Sequence, residues 1–489
     1  MYIEDIINIF DNNEMNMYGG ANASDSSDIV KNHTVFKKTK VLAYDMKKNN
    51  GDKGMNTMLL PLPNSNTITV GIFIKAGSRQ ENETTSYGIA HFLEHMTFKG
   101  TISKTSEKLM LELDSIGAQY NAMTGHEFTL YYISGNPIDI NILLDIIIDL
   151  YLHPTYPEKD IEKERNVVLE ELRMNEDQNH KVLTKNIFNE LYSDYIPDLA
   201  RPIIGYKKTI EKLTRENIIN YRTKNYKETN CLLCVSGNFE KNVVIKKIEE
   251  LFCGKLNNIE LSPDMFKENI NKSKKIKPLS SFKKNMKKYI NVSKNINQNI
   301  IYFIFNSYNT HNSNNVVLDL LTDVLSNGFT SKLFDLLRNK MGVSYYNNSY
   351  NRNFKDTGHF VISVGVDSKS VFKTIDGILK ELAKLVENGI TEQELQKAKK
   401  QNETSLLFQF KDPYEYLMYY GMNYLTKYPL YNLTDIMNNI EKVTLDEINT
   451  MTKEIFKKSN LFIGTLGNIS SGESKQIINL INEFDPLHI

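Results

Sequence analysis

One block of sequence occurs twice in this 489-residue chain, and the repeat narrows what the chain can fold into. Ile210-Glu211-Lys212-Leu213-Thr214 returns as Ile440-Glu441-Lys442-Val443-Thr444. Twenty-seven residues after each isoleucine stands Gly-Asn, first Gly237-Asn238 and then Gly467-Asn468. An apolar run precedes each pair, Cys231 to Val235 and Leu461 to Thr465. Equal spacing over such a length argues for a duplicated unit, and the length suits two domains. We therefore expect one domain at 55–262, a linker at 263–292 and a second domain at 293–489, with 1–54 a poorly ordered extension. Thr67 to Lys75, Phe128 to Ser134, Ile300 to Phe305 and His359 to Gly365 read as strands. Val316 to Leu325 and Thr391 to Phe408 read as helices, and Thr391 with Glu394, like Thr444 with Glu447, makes a capping box. Helices over sheets give an α+β class, with each half an antiparallel sheet covered by helices.

His91-Phe92-Leu93-Glu94-His95 carries the chemistry. It is an H-x-x-E-H motif, with Ala90, Phe92 and Leu93 favouring a helix and no Pro or Gly inside. Residues four apart on a helix share a face, so two imidazoles can meet one metal ion. Glu94 projects beside them, where a hydrolytic metal needs a base. A catalytic zinc usually takes three protein ligands. The stretch Glu158 to Leu172 reads as a long amphipathic helix with Pro157 suited to its first turn. Glu164 and Glu171 are seven apart and share one face, next to Val167 and Val168. They can supply a ligand and a partner that orients one. Glu158, Lys159, Glu162 and Lys163 read as solvated.

Composition excludes several classes. Net charge is +0, so no global field favours nucleic acid or an anionic membrane. The basic runs Lys272 to Lys277 and Lys283 to Lys288 fall in the expected linker. Cys231, Cys234 and Cys253 cannot form a disulfide framework. The C-x-x-C of Cys231 and Cys234 sits among Leu232, Leu233 and Val235, which suits a buried strand. Ile140 to Tyr151 is apolar but too short to span a bilayer, and reads as a core helix. Residues 1–30 hold Glu4, Asp5 and Asp11 and no Arg, unlike a mitochondrial transit peptide. Abundant Asn, Lys and Ile suit an AT-rich genome such as that of a parasite or a large virus. The expected compartment is the cytoplasm, with the mitochondrial matrix or a virus-associated location as alternatives.

His91-x-x-Glu94-His95 followed by Glu171 resembles the pitrilysin/insulinase (M16) metallopeptidases, and within them the processing-peptidase-like branch. Val70 to Arg79 is similar to the strand and turn before that family's zinc helix. Met96 to Thr101 resembles the segment just after that helix, Gly117 to Thr124 the edge strand beside the zinc, and Glu164 to Leu172 the third-ligand helix. The resemblance runs from about residue 55 to the end. It implies the same fold twice and one zinc per chain, held by His91, His95 and Glu171. It further implies Glu94 as general base, Glu164 as the residue orienting a histidine ligand, and Asn121 and Ala122 pairing with the substrate backbone. Phe92 would line the pocket past the scissile bond, and Arg338 with Tyr345 would reach the substrate carbonyl from the second half.

The implied activity is hydrolysis of peptides or unfolded protein segments by a zinc-dependent endopeptidase. The alternatives are a processing-peptidase beta-type subunit that removes presequences, or a non-catalytic scaffold subunit. One departure bears on the choice. Processing subunits carry acidic residues ten and fourteen positions after the zinc glutamate, where this chain has Lys181 and Lys185, although Glu176 and Asp177 lie nearby. The second half has no His in Val316 to Leu325 and should be structural. Two domains form half of the family's chamber, so a homodimer, or a heterodimer with an inactive relative, is expected. His126 reads as a surface turn, with contact to substrate the alternative, and His153 reads as a helix end. His33, His180, His311, His359 and His488 show no partner in sequence.

Overall fold

The strand Ile68–Ile74 is buried along its whole length, so both faces of its sheet must be covered. The computed structural model, which describes residues 40–82, 84–261, 266 and 286–486, places it third in a seven-stranded sheet. The strands are β1 (Leu42–Lys48), β2 (Asn56–Pro61), β3 (Ile68–Ile74), β4 (Gln119–Thr124), β5 (Thr129–Gly135), β6 (Cys231–Gly237) and β7 (Gly254–Ile259), in the order β4-β5-β3-β6-β2-β1-β7. A second sheet holds β8 (Tyr289–Ser293), β9 (Gln298–Ser307), β10 (Ser344–Asn353), β11 (Gly358–Asp367) and β12 (Leu461–Gly467), in the order β10-β11-β9-β12-β8. Five strands of the first sheet thus repeat in the second in the same order. The expected α+β class holds, and only its all-antiparallel pairing is corrected: β2 runs parallel to β6, and β8 to β12.

The repeated Gly-Asn closes β6 and β12. Gly237 and Gly467 have φ of 131° and 154°. A Cβ on Gly237 would meet the Thr67 carbonyl oxygen at 2.5 Å, so the turn requires glycine. The repeated threonines both cap helices: Thr214 and Thr444 accept the N–H of Asn217 and Glu447, each at 3.2 Å.

Eight helices carry or support the functional side chains: α1 (Ile89–Thr97), α2 (Ile140–Leu152), α3 (Glu158–Asp177), α4 (Asn179–Tyr192), α5 (Arg215–Asn225), α6 (Asn315–Ser326), α7 (Pro413–Thr426) and α8 (Leu445–Ile455). α1 and α2 cover one face of the first sheet, where Leu143 and Ile147 join Val70, Ile72 and Phe92 in one core. The other face is covered by a helix from the far half of the chain. Leu417 and Tyr420 of α7 pack on Met58, Leu60 and Phe73. The exchange is reciprocal. Leu183, Ile187 and Leu191 of α4, in the first half, pack on Tyr302, Ile304 and Phe462 of the second sheet.

Two expected boundaries shift. β1 lies inside the expected 1–54 extension, where Ala43, Tyr44 and Met46 are buried between β2 and β7. Residues 1–39 lie outside the described residues. β8 begins at Tyr289, inside the expected linker at 263–292, because it pairs with β12. The run Lys272 to Lys277 lies outside the described residues. Among the described residues no helix is long and apolar enough to cross a membrane. Ile140 to Tyr151 is indeed a core helix, and Cys231 and Cys234 are buried on β6.

Candidate metal centre

Helix α1 begins at Gly88, with φ of 96°. A Cβ there would meet the Ile204 carbonyl oxygen at 2.5 Å. Its first turn is capped from outside the helix. Buried Glu81 accepts the N–H groups of Gly88 and Ala90, each at 3.0 Å. This fixes the rotation of α1 and the direction of its histidines.

His91 and His95 leave α1 on one face, with ring centroids 4.7 Å apart. Glu171 approaches from α3: its Oε2 lies 3.6 Å from His91 Nε2 and 3.4 Å from His95 Nε2. One donor atom from each of the three falls within 4.8 Å of the others. Three ligands bound at about 2.0–2.2 Å to a tetrahedral ion stand roughly 3.4 Å apart, so the spacing suits zinc. The set of two imidazole nitrogens and one carboxylate oxygen also fits, since it leaves a coordination position open. Glu164, two turns before Glu171 on α3, accepts a hydrogen bond from His95 Nδ1 at 3.1 Å, which leaves Nε2 turned to Glu171. Glu164 is itself paired with Lys99.

The electrostatics suit a cation. Burial, with His95 close by, holds the His91 pKa down at about 3, so its imidazole is neutral. Burial opposes charge on His95, but its hydrogen bonds to Glu164 and Glu171 raise its pKa to about 9. The carboxylates that hold a proton on that ring also attract a metal ion. Burial opposes charge on Glu164 too, yet His95 and Lys99 keep its pKa below the ordinary value. Glu94 is buried on the same helix. Burial raises its pKa, against His95 and the Thr124 hydroxyl, which donates to Oε2 at 2.6 Å.

A cavity of about 430 Å³ opens beside the three donors, lined by His91, Glu171 and Thr124 among others. β4 is an edge strand, paired among the described residues only with β5. On it, Ala122 N–H donates to Asn121 Oδ1 at 2.9 Å. Other expected positions differ. Phe92 is not a pocket residue: it is fully buried in the first core, with the Arg165 guanidinium 6.0 Å above its ring. One step along the helix from His91 turns it away from the cavity. Arg338 is exposed on the π-helical segment Asp335–Lys340 and does not line the cavity. Tyr345 falls on β10, and its side chain is outside the described residues.

From the second half it is Arg352, on β10, that lines the cavity. Sequence reading passed over it because only tertiary packing brings β10 there. Thr124 was within reach, since it ends the edge-strand segment Gly117 to Thr124. His126 is buried rather than a surface turn, hydrogen-bonded to Ser78 and stacked on Phe188. His180, His311 and His359 find partners in Tyr302, the Thr426 carbonyl and Tyr192, and His153 ends α2. His33 and His488 lie outside the described residues. In the second half, α6 follows β9 as α1 follows β3. Gly328 comes five residues after Asp323 as Gly100 comes five after His95, so Asp319 and Asp323 stand where the histidines do. Asp323 is engaged by the side-chain amides of Asn327 and Asn402.

Residues 57–205 match the family model described as Insulinase (Peptidase family M16), and residues 212–402 match the one described as Peptidase M16 inactive domain. An uncharacterized zinc protease of Rickettsia bellii is 29% identical over 408 residues, which is 83% of this chain and 94% of that protein. The uncharacterized zinc protease YmxG of Bacillus subtilis is 28% identical over 408 residues, 82% of this chain and 94% of its own. The crystal structure of a protease from Helicobacter pylori superposes with a TM-score of 0.73 at 21% identity, covering 88% of this chain and 100% of that one. A peptidase M16 inactive domain from Pseudomonas fluorescens does so with a TM-score of 0.73 at 16% identity, over 88% and 98% of the two chains. At these identities the solved structures speak for the fold. Two models of one family lie end to end along the chain, and the chain belongs to the M16 (insulinase) family of peptidases.

Proposed function

We propose that this chain is a zinc-dependent endopeptidase acting on peptides or unfolded protein segments. The observation that carries the reading is the convergence of His91, His95 and Glu171 from two helices, with buried Glu94 beside them. His91, His95 and Glu171 would hold the zinc, with Glu164 fixing the orientation of His95. A bound zinc supplies Lewis acidity, which polarises a carbonyl and acidifies water. Glu94 takes a proton from the attacking water and returns it to the leaving amine. The Thr124 hydroxyl holds one Glu94 oxygen in place for that exchange. The β4 edge receives the substrate backbone as an added strand. The Asn121 side chain then gives up the Ala122 N–H to a substrate carbonyl. A second two-domain unit closes the chamber, a second copy of this chain being the first candidate.

Glu94→Gln tests the reading, because the amide keeps the shape and cannot take a proton. The protein should bind about one zinc per chain, lose peptide hydrolysis with a chelator and regain it with zinc. Glu94→Gln should keep the metal and lose turnover by about 10²–10⁴-fold. Hydrolysis that survives Glu94→Gln, or a purified chain that binds no zinc, removes the proposal.

A further inference from the structure

The cavity beside the metal centre carries charge that peptide hydrolysis alone does not use. Lys181, Lys185, Arg201, Lys207 and Arg352 line it, against the carboxylates of Glu171 and Glu176. Glu171 belongs to the donor set, and Glu176 is exposed. Lys181 is bonded to Asn175 Oδ1 at 3.0 Å, and Lys207 is 3.9 Å from Glu211. The two arginines are held differently. The Arg352 guanidinium lies 5.0 Å above Phe188 and 5.4 Å above Phe354. The Arg201 guanidinium lies 4.3 Å above Tyr87. Stacking occupies the faces of a guanidinium and leaves its N–H edges for a planar oxyanion.

Among the described residues neither arginine has a carboxylate within ion-pair distance, and Arg201 Nε is buried without a hydrogen-bond partner. Arg352 and His126 both lie against the Phe188 ring, and Arg201 lines the same cavity. His126 is kept neutral first by its burial, then by Arg352, Arg79 and Arg201. Arg79 is already engaged by Glu127, Asp198 and Asp356. Arg201 and Arg352 are therefore two ring-stacked cations lining one cavity, neither of them in an ion pair among the described residues.

We propose that this cavity selects its substrates by a carboxylate, gripped by Arg201 and Arg352. The carboxylate is an acidic side chain or the C-terminal group of the peptide. The inference rests on the peptidase reading for the ligand's being a peptide, so its test reads binding and not cleavage. Zinc-loaded protein carrying Glu94→Gln is titrated calorimetrically with three acetylated peptides of otherwise equal sequence. One has an internal Glu and an amidated C-terminus, one has Gln and an amidated C-terminus, and one has Gln and a free C-terminus.

A charged hydrogen-bonded pair shielded from water should favour a carboxylate peptide by about 10- to 100-fold over the neutral one. The peptide that gains identifies the source of the carboxylate. Arg352→Gln and Arg201→Gln should each bring the ratio toward one. Arg352→Lys should keep part of it, since it retains the charge and loses the fork. Equal or absent binding of the three peptides overturns the proposal. So does a ratio that both arginine variants leave intact while unfolding like the parent. A carboxylate preference in a protein whose unsubstituted form cleaves nothing would refute the peptidase reading and leave this inference standing. Cleavage without the preference would do the reverse.

Discussion

Arg79 in the first half donates two hydrogen bonds to Asp356 in the second, 3.0 Å to Oδ1 and 2.6 Å to Oδ2. Its buried guanidinium also meets Asp198 and Glu127, each at 2.8 Å. Glu127 lies in the turn between β4 and β5, and Asp356 in the turn between β10 and β11. The cluster therefore ties together corresponding hairpins of the two sheets, next to the cavity wall. Burial opposes the charge on Arg79, but the hydrogen bonds to Asp356 and Asp198 more than restore it. Arg79→Gln leaves three carboxylates facing one another and should cost about 3–5 kcal/mol. Asp356→Asn should cost about 1 kcal/mol, because that carboxylate is 40% exposed and surface pairs are weak. Thermal unfolding ranks the two variants, and hydrogen exchange should show both hairpins loosened in Arg79→Gln. Equal melting of the parent and Arg79→Gln would mean that the tie contributes nothing to stability.

In the proposed zinc site Glu164 would act through His95 and not directly. Its bond to Nδ1 sets the ring's orientation, and Lys99 holds the carboxylate in turn. Glu164→Gln should therefore weaken zinc affinity by about 10- to 100-fold, and Glu171→Gln should weaken it further by removing a donor atom. Competition with a chromophoric chelator measures both. Unchanged affinity in Glu164→Gln would show that His95 is oriented by its packing alone.

The convergence of His91, His95 and Glu171 was legible because its geometry is local. Spacing of four on α1 and seven on α3 fixes which side chains share a face, whatever lies around them. The repeated Gly-Asn was legible for a similar reason, since a turn with positive φ needs glycine at one position. Partners supplied by distant packing were not legible. The stripe Leu183, Ile187, Leu191 says that α4 buries a face, and nothing in it says that the face meets the second sheet. Phe92 misled because the motif assigns a face to the histidines and leaves its neighbours to the core. The parallel pairing of β2 with β6 depends on which strands meet, and alternation within a strand does not record that. Arg352 reaches the cavity only because the two halves pack together.

The reciprocal exchange of helices rests on glycines at the contacts. A Cβ on Gly464 of β12 would meet Ile187 Cδ1 of α4 at 2.6 Å, and a Cβ on Gly421 of α7 would meet the Phe73 ring at 2.3 Å. The Ile187 methyl is the end of a flexible side chain and can turn aside. The Phe73 ring, as fully buried as Ile187 but a rigid plane, cannot. Gly→Ala inside a helix would otherwise stabilise by about 1 kcal/mol, so the sign at Gly421 depends on the clash. Overpacking costs about 1–3 kcal/mol, so Gly421→Ala should be destabilised on balance and more so than Gly464→Ala. Denaturant unfolding of the two variants checks the order. A stabilised Gly421→Ala would show that α7 shifts on the sheet without strain.

Glu81 couples pH to stability through the cap of the metal helix. Burial raises its pKa from 4.5 to about 8, against the N–H groups of Ala90 and Gly88 and the charge of Arg201. The unfolded chain releases this proton near 4.5, and the folded chain keeps it until about 8. Between those values the native state binds more protons, so stability falls as pH rises. The contribution is complete below the lower value and lost through the upper one, at no more than about 1.4 kcal/mol per pH unit. The buried neutral histidines His126 and His359 act in the opposite sense, because acid must charge them. The comparison with Glu81→Gln separates the two effects. Unfolding free energies of the parent should fall relative to those of the variant from about pH 5 to about pH 8. Parallel curves would place the proton elsewhere, and would mean that the carboxylate at the start of α1 is already ionised when the chain folds.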